Sequence, residues 1–326
     1  MRGWLRAGIA ATVIALAGTA PRTFVPGSAG SAPPVVAVHA NTLGGKYVFV
    51  SRRWDLARIR EAFNTVIVAS VPDGGDLQLV RDAAAAGLRV YVEFDKKREY
   101  AEGRDISPTV AAVVDEARAV PGLISGIRVA DRLNEFLDPD TSLGYLRATG
   151  GVFHREIPGI PVLVDANDWE LTCGYSGQSS CTDHLQDRFR FERNDVLELL
   201  YRSGYVDGFL LSDNIKNFDV DVQAAAWRRA RAMYPRPFLL FSASPELSFP
   251  DPAYPSDPAT ARREVDAIVR TPLALGADGV DIWAWHRPWD HTLRTILNKD
   301  GAPNALWTSL VEIASPLLHL APAPTR

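Results

Sequence analysis

A (β/α)8 barrel forming a single α/β domain is the fold that this sequence predicts, and three observations point to it. Short apolar, β-branched runs alternate with helix-patterned segments along the chain, the rhythm of a parallel sheet wrapped by helices. Eight such runs fall within about 250 residues, the usual length of one barrel. Several runs also finish in acidic residues: YVEFD at Asp95, IRVAD at Asp131, PVLVDAND at Asp165 and Asp168, and GFLLSDN at Asp213. In a parallel barrel such ends face one shared mouth. An open doubly wound sheet is the competing arrangement, but no G-x-G-x-x-G follows the first strand and no Walker-type loop occurs.

Residues 1–20 place Arg2 and Arg6 before an apolar run from Ala7 to Ala17 and read as a secretory signal peptide. The run is short beside the roughly 20 residues of a membrane span, which leaves an uncleaved N-terminal anchor as the alternative. Residues 21–34 read as a linker and 35–326 as the barrel, in a secreted or extracytoplasmic protein with no membrane span in its mature form. VVAVHANTLGG is a short lead-in strand, and KYVFVS, Lys46 to Ser51, reads as the first barrel strand. A helix follows in which Trp54, Leu56, Ile59 and Phe63 share a face. NTVIVAS has the continuous β-branched character of a strand buried on both sides, and PDGG ends it.

DLQLVRDAAAAG is a helix capped by Asp76 and stopped by Gly87, and LRVYVEFD is the third strand. The next helix has Ser107 as its expected N-cap and Pro108 in its first turn, and it feeds the fourth strand from Ile124 to Ala130. TSLGYLRATGGVFHREI is a weaker helix because Gly144, Gly150 and Gly151 each lower helical stability. IPVLVDAND is the fifth strand, VDGFLLSDN the sixth, PFLLFSASPE the seventh and ADGVDIWAWH the eighth. Helical patterns in ERNDVLELLYRSG, VDVQAAAWRRARAMY and ATARREVDAIVRTPLALG separate the last four.

Composition narrows the function classes. The chain is 47% hydrophobic and 23% charged, which places it far from disorder, and its formal net charge of −4 offers no basic stripe for nucleic acid. Cys173 and Cys181 flank a Gly/Ser-rich loop, and in an exported chain they are expected to form a disulfide contributing about 2–3 kcal/mol. The histidines make no H-x-H or H-E-x-x-H spacing, and no G-x-S-x-G elbow is present. Neither a metal nor a cofactor is implied, and the oligomeric state is left open.

The strand ends carry paired carboxylates beside aromatic residues. Asp95, Asp131, Glu135, Asp165, Asp168, Asp213 and Glu246 lie at or just past strand ends, with Trp169, Trp283, Trp285 and Trp289 nearby in sequence. Two carboxyl groups on opposite sides of one bond suit glycosidic hydrolysis, and aromatic faces give a sugar ring a surface to stack on. At these residues the chain resembles the secreted (β/α)8-barrel glycoside hydrolases. Asp131 followed by Asn134-Glu135 is similar to the acid/base strand of retaining members, SASPE ending at Glu246 falls where they keep a nucleophile, and DIWAWH resembles their eighth-strand tryptophan.

The resemblance implies a carbohydrate substrate and a catalytic pair drawn from Asp131 or Glu135 with Asp213 or Glu246. A pattern with acids closing strands four and six would choose Asp131 and Asp213. Asp95, Asn134, Asp165, Asp168, Trp169, Trp285 and His286 are the substrate-binding candidates. Asp131 also has Arg128 and Arg132 in reach as ion-pair partners, and Asp281 has strand neighbours on both sides, which suits a buried structural acid. A non-catalytic barrel that binds glycans or sits at the cell envelope is the alternative, because one fold serves many functions.

Overall fold

Runs of valine, leucine and isoleucine supply the strands: β1 (Val35–His39), β2 (Thr65–Ala69), β3 (Arg89–Phe94), β4 (Ile124–Val129), β5 (Val162–Asn167), β6 (Gly208–Ser212), β7 (Phe238–Ala243) and β8 (Gly279–Ile282). Each pairs in parallel with the next and β8 pairs with β1, which closes the barrel. The computed structural model describes residues 34–39, 53–133, 137–167, 196–212, 228, 230–234, 238–243, 257–282 and 302–318. Among these, no helix is long and apolar enough to cross a membrane.

The first strand differs from expectation. Val35–His39, read from sequence as a lead-in, fills the position between β8 and β2 expected of KYVFVS; Lys46 to Ser51 lie outside the described residues. The physical reason is burial on both faces. Val35 to Val38 are each at most 2% exposed, which a continuous apolar run satisfies.

Helices α1 (Arg53–Ile59), α2 (Leu77–Ala85), α3 (Lys97–Ala101), α4 (Ser107–Ala119), α5 (Pro139–Ala148), α6 (Gly150–Glu156), α7 (Val196–Arg202), α8 (Pro258–Ala274) and α9 (Ala305–Leu318) are described around the strands. Asp76 caps α2 by accepting the Gln78 N–H at 2.8 Å. Ser107 does not cap α4. It is the first helical residue, Ile106 holds the cap position, and the Asp105 carboxylate two residues back accepts the Ser107 N–H at 2.9 Å. The weak helix after β4 is two helices, α5 and α6, separated at Thr149. Gly150 stands there because a Cβ on it would lie 2.2 Å from the Tyr205 carbonyl oxygen. His154 on α6 meets Asp207 at 2.9 Å, and the same carboxylate oxygen accepts the Val162 N–H at 2.8 Å, which fastens the helix to the start of β5.

The two-residue period of the strands sorts their side chains. Val36, Val38, Val66, Val68, Val90 and Val92 face outward into the main core with Ile59, Phe63, Val80 and Val113 from the helices. Val35, Ala37, Ile67, Tyr91, Leu163, Leu210 and Leu240 face inward as a separate cluster inside the barrel. Gly126 belongs to that interior layer: a Cβ on it would come within 3.2 Å of the Tyr91 ring, so its bare backbone leaves the ring its space. Farther along β3, β4, β5 and β8, inward positions hold Glu93, Arg128, Asp165 and Asp281 instead of apolar groups.

Candidate active site

Arg128 is the centre of this charged layer. It stands opposite Glu93 in the β3–β4 register, is 3% exposed, and makes ion pairs with Glu93 on one neighbouring strand and Asp165 on the other. A guanidinium this deep costs several kcal/mol in lost hydration unless carboxylates surround it. Burial pushes its pKa down, but Asp165, Asp131 and Asp281 outweigh that, so the net shift is upward and Arg128 remains a cation. Its third partner, Asp131 Oδ1, lies 3.1 Å from Nη2.

Asp131 sits just past β4 on an unusual piece of backbone. The residues on either side, Ala130 with φ 63° and Arg132 with φ 48°, are both left-handed without being glycine. Each such conformation costs on the order of 1 kcal/mol or more and persists only where its surroundings impose it. Those surroundings are visible here. The β3–β4 ladder makes its last backbone bond from the Ala130 N–H to the Phe94 carbonyl at 2.9 Å. The following N–H, that of Asp131, donates instead to the Asp95 carboxylate at 3.1 Å. Asp131 Oδ2 lies 3.6 Å from Arg132 Nε, and the side chain keeps 37% of its surface exposed. Among the carboxylates of this cluster it is the accessible one, since Glu93, Asp95, Asp165 and Asp281 are at most 9% exposed.

Further charged groups hold Asp95 from behind. Its carboxylate accepts the Lys97 N–H at 3.0 Å and pairs with the Lys97 ammonium. Asp73, after β2, pairs with the Lys96 ammonium and accepts from the Asp95 N–H at 3.2 Å and the Ser70 hydroxyl at 2.8 Å. Burial raises the pKa of Asp73, and Lys96 opposes the rise. Tyr145, on α5, accepts the Lys96 N–H at 3.1 Å, and its full burial pushes the phenol well up. Glu116 on α4 lies behind this group at 3% exposure. One of its oxygens accepts the Val71 N–H at 2.9 Å, while Oε1 has no hydrogen-bond partner. Burial first and then the charge of Asp73 raise its pKa to about 7, against the lowering by the Val71 N–H.

The structure therefore brings Asp95, Asp131 and Asp165 into one network around Arg128, with Asp165 inside β5 and 1% exposed. Asp281 is fully buried, as its apolar strand neighbours indicate. Asn134, Glu135, Asp168, Trp169, Cys173, Cys181, Asp213, Glu246, Trp283, Trp285, His286 and Trp289 lie outside the described residues. Glu93, Asp73, Lys96, Lys97, Tyr145 and Glu116 join the network without having been expected from sequence. A signal existed for Glu93, an acid two positions before Asp95 and on the same strand face. None existed for Glu116, which looks like any solvated helical carboxylate. Among the described residues, no group of three or more His, Cys, Asp or Glu is arranged to hold a metal ion.

No family model matches the chain, and no curated protein matches it. Solved structures do match. An exo-beta-1,4-mannosidase from Opitutaceae bacterium strain TAV5 superposes with a TM-score of 0.60 at 13% identity, over 88% of this chain and 61% of that one, so the chain spans less than two thirds of its length. GH5_18 from Streptomyces cattleya, in complex with GlcNAc, gives 0.59 at 14% identity over 90% and 83% of the two chains. A mutant of xylanase A from P fluorescens subsp. cellulosa, in complex with xylopentaose, gives 0.57 at 12% identity over 87% and 98%. At these identities the likeness is one of fold.

Proposed function

We propose that this barrel is a glycoside hydrolase that cleaves a poly- or oligosaccharide with two carboxyl groups at its strand ends, one of them Asp131. The observation that carries the reading is the construction around Asp131: a partly exposed carboxylate past β4, bracketed by two strained residues and held by Asp95 and Arg128. Strain of that kind gathers where a side chain must be aimed. The solved structures sharing the fold include a mannosidase and a xylanase, which supports the substrate class.

Both oxygens of Asp131 face guanidinium groups, an environment that favours the carboxylate form. We therefore assign Asp131 the ionised role, as nucleophile or as the base that activates water. The proton donor then comes from another position, with Glu135, Asp213 and Glu246 as the candidates. A separation of about 5–5.5 Å between the two carboxyls would make the enzyme retaining, and about 6.5–9.5 Å inverting. Aromatic contacts from Trp169 and Trp285, with His286, Asn134 and Asp168, would line the sugar site.

The test is a panel of plant and cell-wall polysaccharides and 4-nitrophenyl glycosides, with Asp131→Asn beside the parent. Hydrolysis by the parent and a loss of about 100-fold or more in the variant, with its fold retained, is the expected result. Binding without hydrolysis by the parent would move the protein to the glycan-binding class. The reading also includes export through residues 1–20 and a Cys173–Cys181 disulfide in the mature protein. Labelling of denatured, natively secreted material should find no free thiol, and two reactive thiols would refute the bridge.

A further inference from the structure

We infer that Asp95 is a positioning residue for Asp131 rather than a group that touches substrate. The inference rests on the assignment of Asp131 to the chemistry, and it replaces the substrate-binding role that the strand-end position of Asp95 suggests.

Three of the roughly four acceptor sites of the Asp95 carboxylate are already taken up. Its carboxylate receives the backbone N–H of Lys97 on Oδ1 at 3.0 Å, the backbone N–H of Asp131 on Oδ2 at 3.1 Å, and the ammonium of Lys97 also on Oδ2. Its side chain is 9% exposed. Little of it is left to meet a sugar hydroxyl. Its own N–H donates to Asp73, so the residue is anchored from behind.

The bond to Asp131 also shapes the backbone. Parallel pairing between β3 and β4 stops at the bond from Ala130 to Phe94. In a regular ladder the Asp131 N–H would point toward β5, as the Ile127 N–H does toward the Pro161 carbonyl; past the left-handed Ala130 it meets a side-chain oxygen from the end of β3 instead. This lets the chain turn through two left-handed residues, Ala130 and Arg132, without leaving the intervening N–H unpaired in a largely buried setting. The hook so formed returns the Asp131 carboxylate over Arg128, 3.1 Å from Nη2. Without the Asp95 acceptor, the backbone has no reason to keep both strained conformations, and relaxation of either would swing the carboxylate away.

The experiment is made on the full-length protein with whichever 4-nitrophenyl glycoside the parent hydrolyses. Asp95→Ala removes the acceptor. Asp95→Asn keeps the shape but turns an amide N–H toward one of the two backbone donors, so it serves as the second variant if the alanine protein does not fold. Both are expected to lose about 10- to 100-fold in kcat with KM within about twofold, the pattern of a displaced reacting group. A crystal structure of either variant should show Ala130 or Arg132 out of the left-handed region. A raised KM with unchanged kcat would make Asp95 a substrate contact and overturn the inference, and parental kinetics in both variants would overturn it as well. Asp131→Asn, run alongside, separates the two readings. If it is inactive while the Asp95 variants match the parent, only the positioning role fails; if it is fully active, the assignment of Asp131 fails, and the crystal structure alone decides whether Asp95 holds the hook.

Discussion

Replacing Glu116 with glutamine should change how stability depends on pH, and the size of the change follows from its surroundings. The carboxyl is 3% exposed, has the Val71 N–H on one oxygen, and has its pKa raised from 4.5 to about 7. Below pH 4.5 it is protonated in both folded and unfolded chains and contributes no difference. As pH rises toward 7 the unfolded chain releases this proton while the folded one keeps it, so folding becomes progressively less favourable, and above 7 the loss is complete. Each tenfold difference in proton affinity between the two states is worth about 1.4 kcal/mol, which makes the full loss about 3 kcal/mol. Glutamine cannot titrate. It also carries an offset of about 1–3 kcal/mol for placing an amide N–H where Oε1 has no partner, but that offset is the same at every pH. Asp73 titrates in both proteins and its charge is one cause of the Glu116 shift, so the difference between the two reports Glu116 together with that coupling. Urea unfolding at intervals from about pH 4.5 to 8.5 should show the variant gaining about 3 kcal/mol on the parent between about pH 4.5 and 7.5. Parallel stability curves would refute the reasoning and place the proton of Glu116 at an ordinary carboxyl affinity.

Arg128→Met should destabilise the fold by about 3–5 kcal/mol, because it removes the cation shared by buried Glu93 and Asp165. Chemical denaturation measures it, and adding Glu93→Gln should recover part of the loss. A silent Arg128 variant would mean that the charged layer hydrates once its centre is gone. Gly150→Ala should cost about 1–3 kcal/mol by thermal or urea unfolding, since the new Cβ meets the Tyr205 carbonyl at 2.2 Å, whereas Gly159→Ala should act only through its φ of 101°, there being nothing within 4 Å of its Cβ.

Much of the barrel is legible in the sequence because its information is local. Seven strands read as apolar runs closed by turn residues, and the cap at Asp76 follows from its place before a helical pattern. The first strand is not legible in this way, because VVAVH and KYVFVS look alike in isolation and only pairing to β8 distinguishes them. The final helix, α9, escapes a sequence reading although its residues are strongly apolar; its partner is α8, so nothing near it in sequence marks its role. In the site, Asp131 is legible as an acid past an apolar strand. The left-handed turns beside it are not, because alanine and arginine carry no sign of positive φ, and the conformation is imposed by Asp95 from the end of another strand. Glu116 is hidden for a related reason: its burial depends on a turn at Val71 that lies far away in sequence.

Closure of the barrel by β1 and β8 has a consequence for how the chain acquires its shape. Val35 must find Gly279, a partner made long after it, so β1 emerges with one edge that nothing yet covers. Contacts of such long range slow folding, and an apolar strand with an open edge invites pairing with other chains while it waits. Released fragments ending before Gly279 should therefore be protease-sensitive and prone to association, and fragments that include Gly279 to Ile282 should be less so in both respects.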